Sequence, residues 1–105
     1  MSHVLSITLE PPLRNVHVVA VAGELDVATC GELEAFLGRL SGSVVLDCDA
    51  LAFLDVASTL ALERAAARLG RLSLVNIKPQ VARVIGLTGR SFLLDRPGSG
   101  RRGRD

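Results

Sequence analysis

Three short apolar runs, Val16–Ala22, Val44–Cys48 and Leu72–Asn76, are each followed by a stretch whose apolar residues recur at helical spacing. That alternation of strand and helix constrains the chain more than any other feature. Successive strand–helix–strand units require parallel strands joined by right-handed crossovers, hence a sheet with helices packed on it. The run VHVVAVA is β-branched and nearly all apolar, as expected of a central strand covered on at least one face. Val4–Leu9 alternates in character and reads as a further strand. Pro11 and Pro12 mark 10–15 as a turn or loop, and Gly23 is expected to end the second strand.

The helices carry their own signals. Between Asp26 and Leu40, residues Leu33, Phe36, Leu37 and Leu40 fall at i, i+3, i+4 and i+7 and form one apolar stripe. Thr29 followed by Glu32 resembles a capping box, with Asp26 as an alternative cap. The stretch 49–55 is read as a loop. A second helix is expected from about Val56 to Leu69, rich in alanine, with Gly70 just beyond its end. Pro79 suits the first turn of a third helix, whose stripe is Val81, Val84, Ile85 and Thr88. Phe92–Leu94 is expected to pack back on the body. The predicted order is β-β-α-β-α-β-α, an α/β fold with a mostly parallel mixed sheet of four to five strands flanked by helices. No internal repeat is apparent at this level.

Composition fits one small domain. Of 105 residues, 49% are apolar, enough for a real core at this size. Residues 1–94 hold eight Lys/Arg and nine Asp/Glu, whereas 95–105 hold four Arg and two Asp. A domain over 1–94 therefore has no basic footprint for nucleic acid. The Gly/Arg-rich stretch 95–105 is expected to be a disordered basic tail. No apolar run is long enough for a membrane span, and the first residues lack the pattern of a signal peptide, which points to a cytoplasmic setting. Cys30 and Cys48 are too few for a disulfide framework, and Cys48 reads as a small buried hydrophobe.

A search for catalytic chemistry finds little. His3 and His17 are the only histidines, and nothing positions either beside a nucleophile. No metal-ligand spacing and no phosphate-binding glycine loop is present. The chain reads as a non-enzyme without metal or cofactor. The carboxylates are more informative. Asp26 and Asp55 each precede a helix after a strand or loop, where a carboxylate accepts hydrogen bonds from free N–H groups. Both connections lie at the same end of a parallel sheet, the end at which α/β sheets present their sites. Glu24, Asp26 and Asp55 are expected to make that edge negative, with Asp47 and Asp49 adding to it.

In order along the chain stand Gly23-Glu24-Leu25-Asp26, Val44-Val45-Leu46-Asp47, Leu51-Ala52-Phe53-Leu54-Asp55, and Leu74-Val75-Asn76 with Pro79-Gln80-Val81. This ordered set resembles the STAS family of anti-sigma-factor antagonists. The resemblance implies a binding module whose partner is a kinase-type anti-sigma factor, reversed by phosphorylation of a serine two positions after the family's aspartate. Carried onto this chain, it implies partner binding by Glu24, Asp26, Asp55, Val56, Ala57 and Ser58. The phospho-acceptor position is Ala57, which has no hydroxyl, so the usual switch is expected to be absent. Ser58 and Thr59 are the nearest alternative acceptors, but each helical step turns a side chain by about 100°. A different use of the same fold is also implied, as a scaffold subunit of a stressosome-like particle or of a lipid transporter. Nucleotide binding, a third possibility, has no support beyond helix N-termini.

Overall fold

The computed structural model describes residues 4–94. The expected basic tail and His3 lie outside the described residues. Four strands and three helices follow in the predicted order: β1 (Leu5–Leu13), β2 (Val16–Leu25), α1 (Cys30–Leu37), β3 (Ser43–Leu54), α2 (Val56–Arg68), β4 (Arg71–Val75) and α3 (Pro79–Leu87). A single 3-10 turn, Ser91–Leu93, closes the described chain. The sheet order is β1-β2-β3-β4, with β1 antiparallel to β2 and the other neighbours parallel. Because the order follows the chain, two right-handed crossovers lay α1 and α2 on the same face.

One core sits between that face and the helices. It joins Val19 and Val21 of β2, Val44, Leu46 and Cys48 of β3, and Leu72 and Leu74 of β4 to Leu33 and Leu37 of α1, Leu62 and Ala65 of α2, and Val81 and Ile85 of α3. The first helix is shorter than the expected stretch to Leu40: α1 ends at Leu37 with Gly38 as its C-cap. Of the stripe, Leu33 and Leu37 are buried, Phe36 packs at the margin, and Leu40 lies beyond the helix although it still packs on the core. Leu93 is fully buried and Leu94 bridges to Leu74, so the chain does return to the body, but Phe92 points to solvent.

Several strand limits differ from the sequence reading, each for a local reason. The strand β1 continues through Pro11 and Pro12 to Leu13, with a register shift between Glu10 and Leu13. It is an edge strand, where a residue lacking an N–H breaks no ladder toward the sheet interior. The strand β2 passes through Gly23 to Leu25. Gly23 has φ +104°, and a Cβ there would lie 2.3 Å from the carbonyl oxygen of Val4. Glycine is needed for this close pairing and does not end the strand. The segment 49–54, expected as loop, is the second half of β3. There β3 carries an extra residue against β2 twice, between Ala20 and Ala22 and between Gly23 and Glu24. These bulges bring Cys48, Leu51 and Leu54 to the buried side at intervals of three. Gly70 is not a left-handed helix cap; it lies against Gly42, and its N–H donates to the Gly42 carbonyl at 2.8 Å.

Candidate partner-binding rim

The strand ends of β2 and β3 and the starts of α1 and α2 meet along one rim. The Asp55 carboxylate ties them together. Its Oδ1 accepts hydrogen bonds from the Ser58 N–H at 2.9 Å and the Ser58 hydroxyl at 2.8 Å. Its Oδ2 accepts from the Val27 N–H, in the other turn, at 3.1 Å. Asp55 is therefore both the N-cap of α2, as its sequence position suggests, and a clamp on the β2–α1 connection. The backbone reinforces the join: the Leu25 carbonyl accepts the Asp55 N–H at 3.2 Å and lies 2.8 Å from the Ser58 hydroxyl, as near as Asp55 Oδ1, so the one hydroxyl proton is shared between the two acceptors.

Asp26 organises its own turn in the same manner. Its Oδ1 accepts from the Ala28 N–H at 2.9 Å and the Thr29 N–H at 3.1 Å. Thr29 occupies the N-cap position of α1 but makes no side-chain cap bond to the helix. Its hydroxyl instead donates back to the Glu24 carbonyl at 2.8 Å and accepts the Asp26 N–H at 3.0 Å. The expected capping box with Glu32 is not formed, because that hydroxyl is committed to the turn behind it.

The rim is less acidic at its surface than the sequence suggests. Asp26 is only 4% exposed, so its carboxylate shapes the turn and offers little charge to a partner. Glu24 is exposed. Asp47 and Asp49 lie several residues back along β3; Asp47 accepts from the Asn76 side chain at 2.9 Å, and the Lys78 ammonium donates to the Asp49 carbonyl. They do not join the rim. What the rim does expose is apolar: Val27 at 75%, Val56 at 63%, with Ala28, Ala57, Phe53 and Leu60 beside them. Ser58 and Thr59 are fully buried. The Ser58 hydroxyl faces Leu25 and Asp55, and the Thr59 hydroxyl donates to the Val56 carbonyl at 2.7 Å.

Sequence reasoning missed Val27, Ala28, Phe53 and Leu60, although a signal for the first two was present. The turns read Asp26-Val27-Ala28-Thr29 and Asp55-Val56-Ala57-Ser58, a four-residue near-repeat. In each, the aspartate holds the backbone of the next residues and pushes Val-Ala outward. The pair lies outside the core in both turns, and its recurrence puts four small apolar side chains on one rim.

Other chemistry is sparse. Among the described residues no group of three or more His, Cys, Asp and Glu could hold a metal ion. No described helix is long and apolar enough to cross a membrane. Cys48, in the core, has its thiol pushed up to about 12, first by burial and then by the nearby Asp47 charge. Cys30 is half-buried at the start of α1.

The STAS domain model matches residues 11–97, most of the chain. The chain belongs to the STAS family. A crystal structure of an anti-sigma factor antagonist from Mycobacterium paratuberculosis is similar at 28% identity, with a TM-score of 0.76 over 90% of this chain and 87% of that one. The unphosphorylated form of the anti-sigma factor antagonist SpoIIAA is similar in fold, at 22% identity and a TM-score of 0.65, over 90% of each chain. The phosphorylated form of SpoIIAA, a Bacillus cell fate determinant, gives 20% identity and a TM-score of 0.64, over 90% of this chain and 94% of that one. Among curated proteins there is no significant sequence match. The STAS assignment agrees with the four-stranded mixed sheet and its three helices. It makes this chain a domain resembling the anti-sigma-factor antagonists.

Proposed function

We propose that this STAS domain is a non-catalytic regulatory module of bacterial transcription, working in the cytoplasm. Through the Asp26–Asp55 rim it binds a kinase-type anti-sigma factor. The observation that carries the reading is the clamp from the Asp55 carboxylate to the Val27 N–H, which holds two Asp-Val-Ala turns as one surface. Val27, Ala28, Val56, Ala57 and Leu60 supply apolar contact area, Glu24 supplies charge at one side, and Asp26, Asp55 and Ser58 fix the shape from beneath. A rigid, preformed apolar patch with a charged border loses little entropy on docking.

The module has no phosphorylation switch of the family's kind. Ala57, at the acceptor position implied by the resemblance, is exposed but lacks a hydroxyl. Ser58 and Thr59 have hydroxyls but are buried and bonded to Leu25, Asp55 and Val56, so a kinase would have to unwind the first turn of α2 to reach either. A phosphate at that turn would add a charge of about −1.5 to −2 beside Asp55. Its absence leaves the rim permanently competent to bind.

The test is a pull-down with kinase-type anti-sigma factors, with and without magnesium and ATP. Binding is expected to survive ATP for the natural sequence. Ala57→Ser is expected to accept phosphate and to lose the complex when ATP is added. Loss of the natural complex through modification at Ser58 or Thr59 would overturn the unswitchable part. Failure of both forms to bind any such partner would overturn the reading as a whole.

A further inference from the structure

The helices cover only one face of the sheet. Val19, Val21, Leu46 and Leu74 point into the core. The alternate residues Val18, Ala20, Val45, Ser73 and Val75 must face the other way, and among the described residues no helix packs there. This open face is small and β-branched at its centre, with Arg71 at its amino end and Asp47 and Asp49 at its carboxyl end, where the Asn76 amide donates to Asp47 and the Lys78 ammonium to the Asp49 carbonyl. A hollow of about 180 Å³ near the carboxyl ends of the strands is lined by Thr8, Ala20, Asp47 and Asp49. A second, of about 190 Å³ near the amino ends, is lined by Ser43, Val45, Arg71 and Ser73. The Arg71 side chain lies along this face, its Nε donating to the Ser73 hydroxyl at 3.3 Å.

We propose that the open sheet face is an interface between two copies of this chain, related by a two-fold axis lying across the strands. Such an axis reverses strand direction between the copies. It therefore brings the start of β4 in one copy over the strand ends in the other. Arg71 pairs in register with Ser43, and Asp47 with Val75, so the two levels exchange about a centre at Val45 and Ser73. Each Arg71 then lies over the Val75 end of the partner copy's β4, within side-chain reach of Asp47 and Asp49 on the neighbouring strand, and the contact occurs twice, as an isologous interface requires. Val45, Ala20 and Ser73 are small enough for two sheets to approach to the usual distance of about 10 Å.

Size sets the strength. Four strands about 4.8 Å apart, with roughly five residues each at about 3.3 Å, give a patch of about 20 by 16 Å. That is below the roughly 800 Å² per partner of a standard stable interface, so the dimer is weak and depends on concentration. It leaves the Asp26–Asp55 rim free, since the rim lies at the strand ends and not on the open face.

The test is sedimentation of the full chain over about 10 µM to 1 mM, the range in which so small an interface assembles. A reversible monomer–dimer equilibrium is expected, weakened by added salt. Arg71→Glu places Glu against Asp49 in both contacts, and Asp49→Arg places Arg against Arg71. Each variant alone is expected to raise the dissociation constant about tenfold or more. An equimolar mixture of the two variants has opposite charges at both contacts and is expected to regain dimerisation. Both positions are exposed, and far-UV circular dichroism confirms that each variant is folded. A chain monomeric throughout this range, a dimer indifferent to Arg71→Glu, or a mixture that fails to recover would each overturn the proposal.

Discussion

Replacing Asp55 with alanine removes both the cap and the clamp, and replacing it with asparagine removes only the clamp and the charge. In the alanine variant two N–H donors, Ser58 and Val27, lose their carboxylate acceptor, and the single Ser58 hydroxyl proton loses one of the two acceptors it lies between. The cap on the Ser58 N–H is the expensive one, at about 1 kcal/mol with a range of about 0.5–2. The Ser58 hydroxyl keeps its acceptor on Leu25, so no buried donor is stranded. Val27 is exposed, and its N–H regains water at small cost. The sum is about 1–2 kcal/mol, or a fall in Tm of roughly 4–16 °C for a domain of this size. Asp55→Asn keeps one oxygen for the cap but turns an amide NH2, a donor, toward the Val27 N–H, so it loses the clamp and the charge at the helix start, the latter about 0.3–1 kcal/mol, and keeps the cap. Urea unfolding of both variants measures the difference. Amide exchange at Val27 gives the second readout: it is expected to accelerate in Asp55→Ala without a matching change in the core strands. Equal losses for Ala and Asn, or a loss above about 4 kcal/mol, would refute the assignment of the cap, and unchanged exchange at Val27 would refute the clamp.

Other consequences are as direct. The Cys48 thiol is protonated in the folded state up to about pH 12 but ionises near 9.0 once unfolded. The unfolded state then holds fewer protons, so stability falls by about 1.4 kcal/mol per pH unit as pH rises from 9 toward 12. Cys48→Ala is expected to lower stability at neutral pH but to flatten that part of the pH profile, as read by urea midpoints. Gly23→Ala meets both a positive φ and the Val4 carbonyl at 2.3 Å. A loss above about 2 kcal/mol is expected, with the β1–β2 amides exchanging fastest. The Arg64–Glu34 pair joins α2 to α1 at 2.9 Å but is exposed. Arg64→Ala is expected to move the urea midpoint only slightly, and less in high salt, as the screened pair of an exposed surface does.

What could be read from sequence divides along physical lines. The proline at the start of α3 and the aspartate cap of α2 are local signals and stand where the spacing placed them, while the stripe of α1 holds for Leu33 and Leu37 and ends before Leu40. The far half of β3 was not legible because two bulges replace the alternation of a strand with the three-residue spacing of Cys48, Leu51 and Leu54. Gly23 and the Pro11–Pro12 pair read as breaks because their meaning depends on a neighbouring strand: close pairing for one, an edge position for the other. The meeting of Asp26 and Asp55 followed from topology alone. The burial of Asp26 did not, and neither did the apolar character of the rim. Those depend on the clamp from Asp55 to Val27, a contact between residues 28 positions apart.

Titrating the labelled chain with a kinase-type anti-sigma factor, while following its backbone amide resonances, asks which surface the partner covers. The amides of Val27, Ala28, Val56, Ala57 and Leu60 should shift together and lose signal in proportion to complex formed, with Val18 and Val45 on the open sheet face unmoved. Shifts centred on that open face or on α3, with both Asp-Val-Ala turns silent, would contradict the assignment of the binding surface.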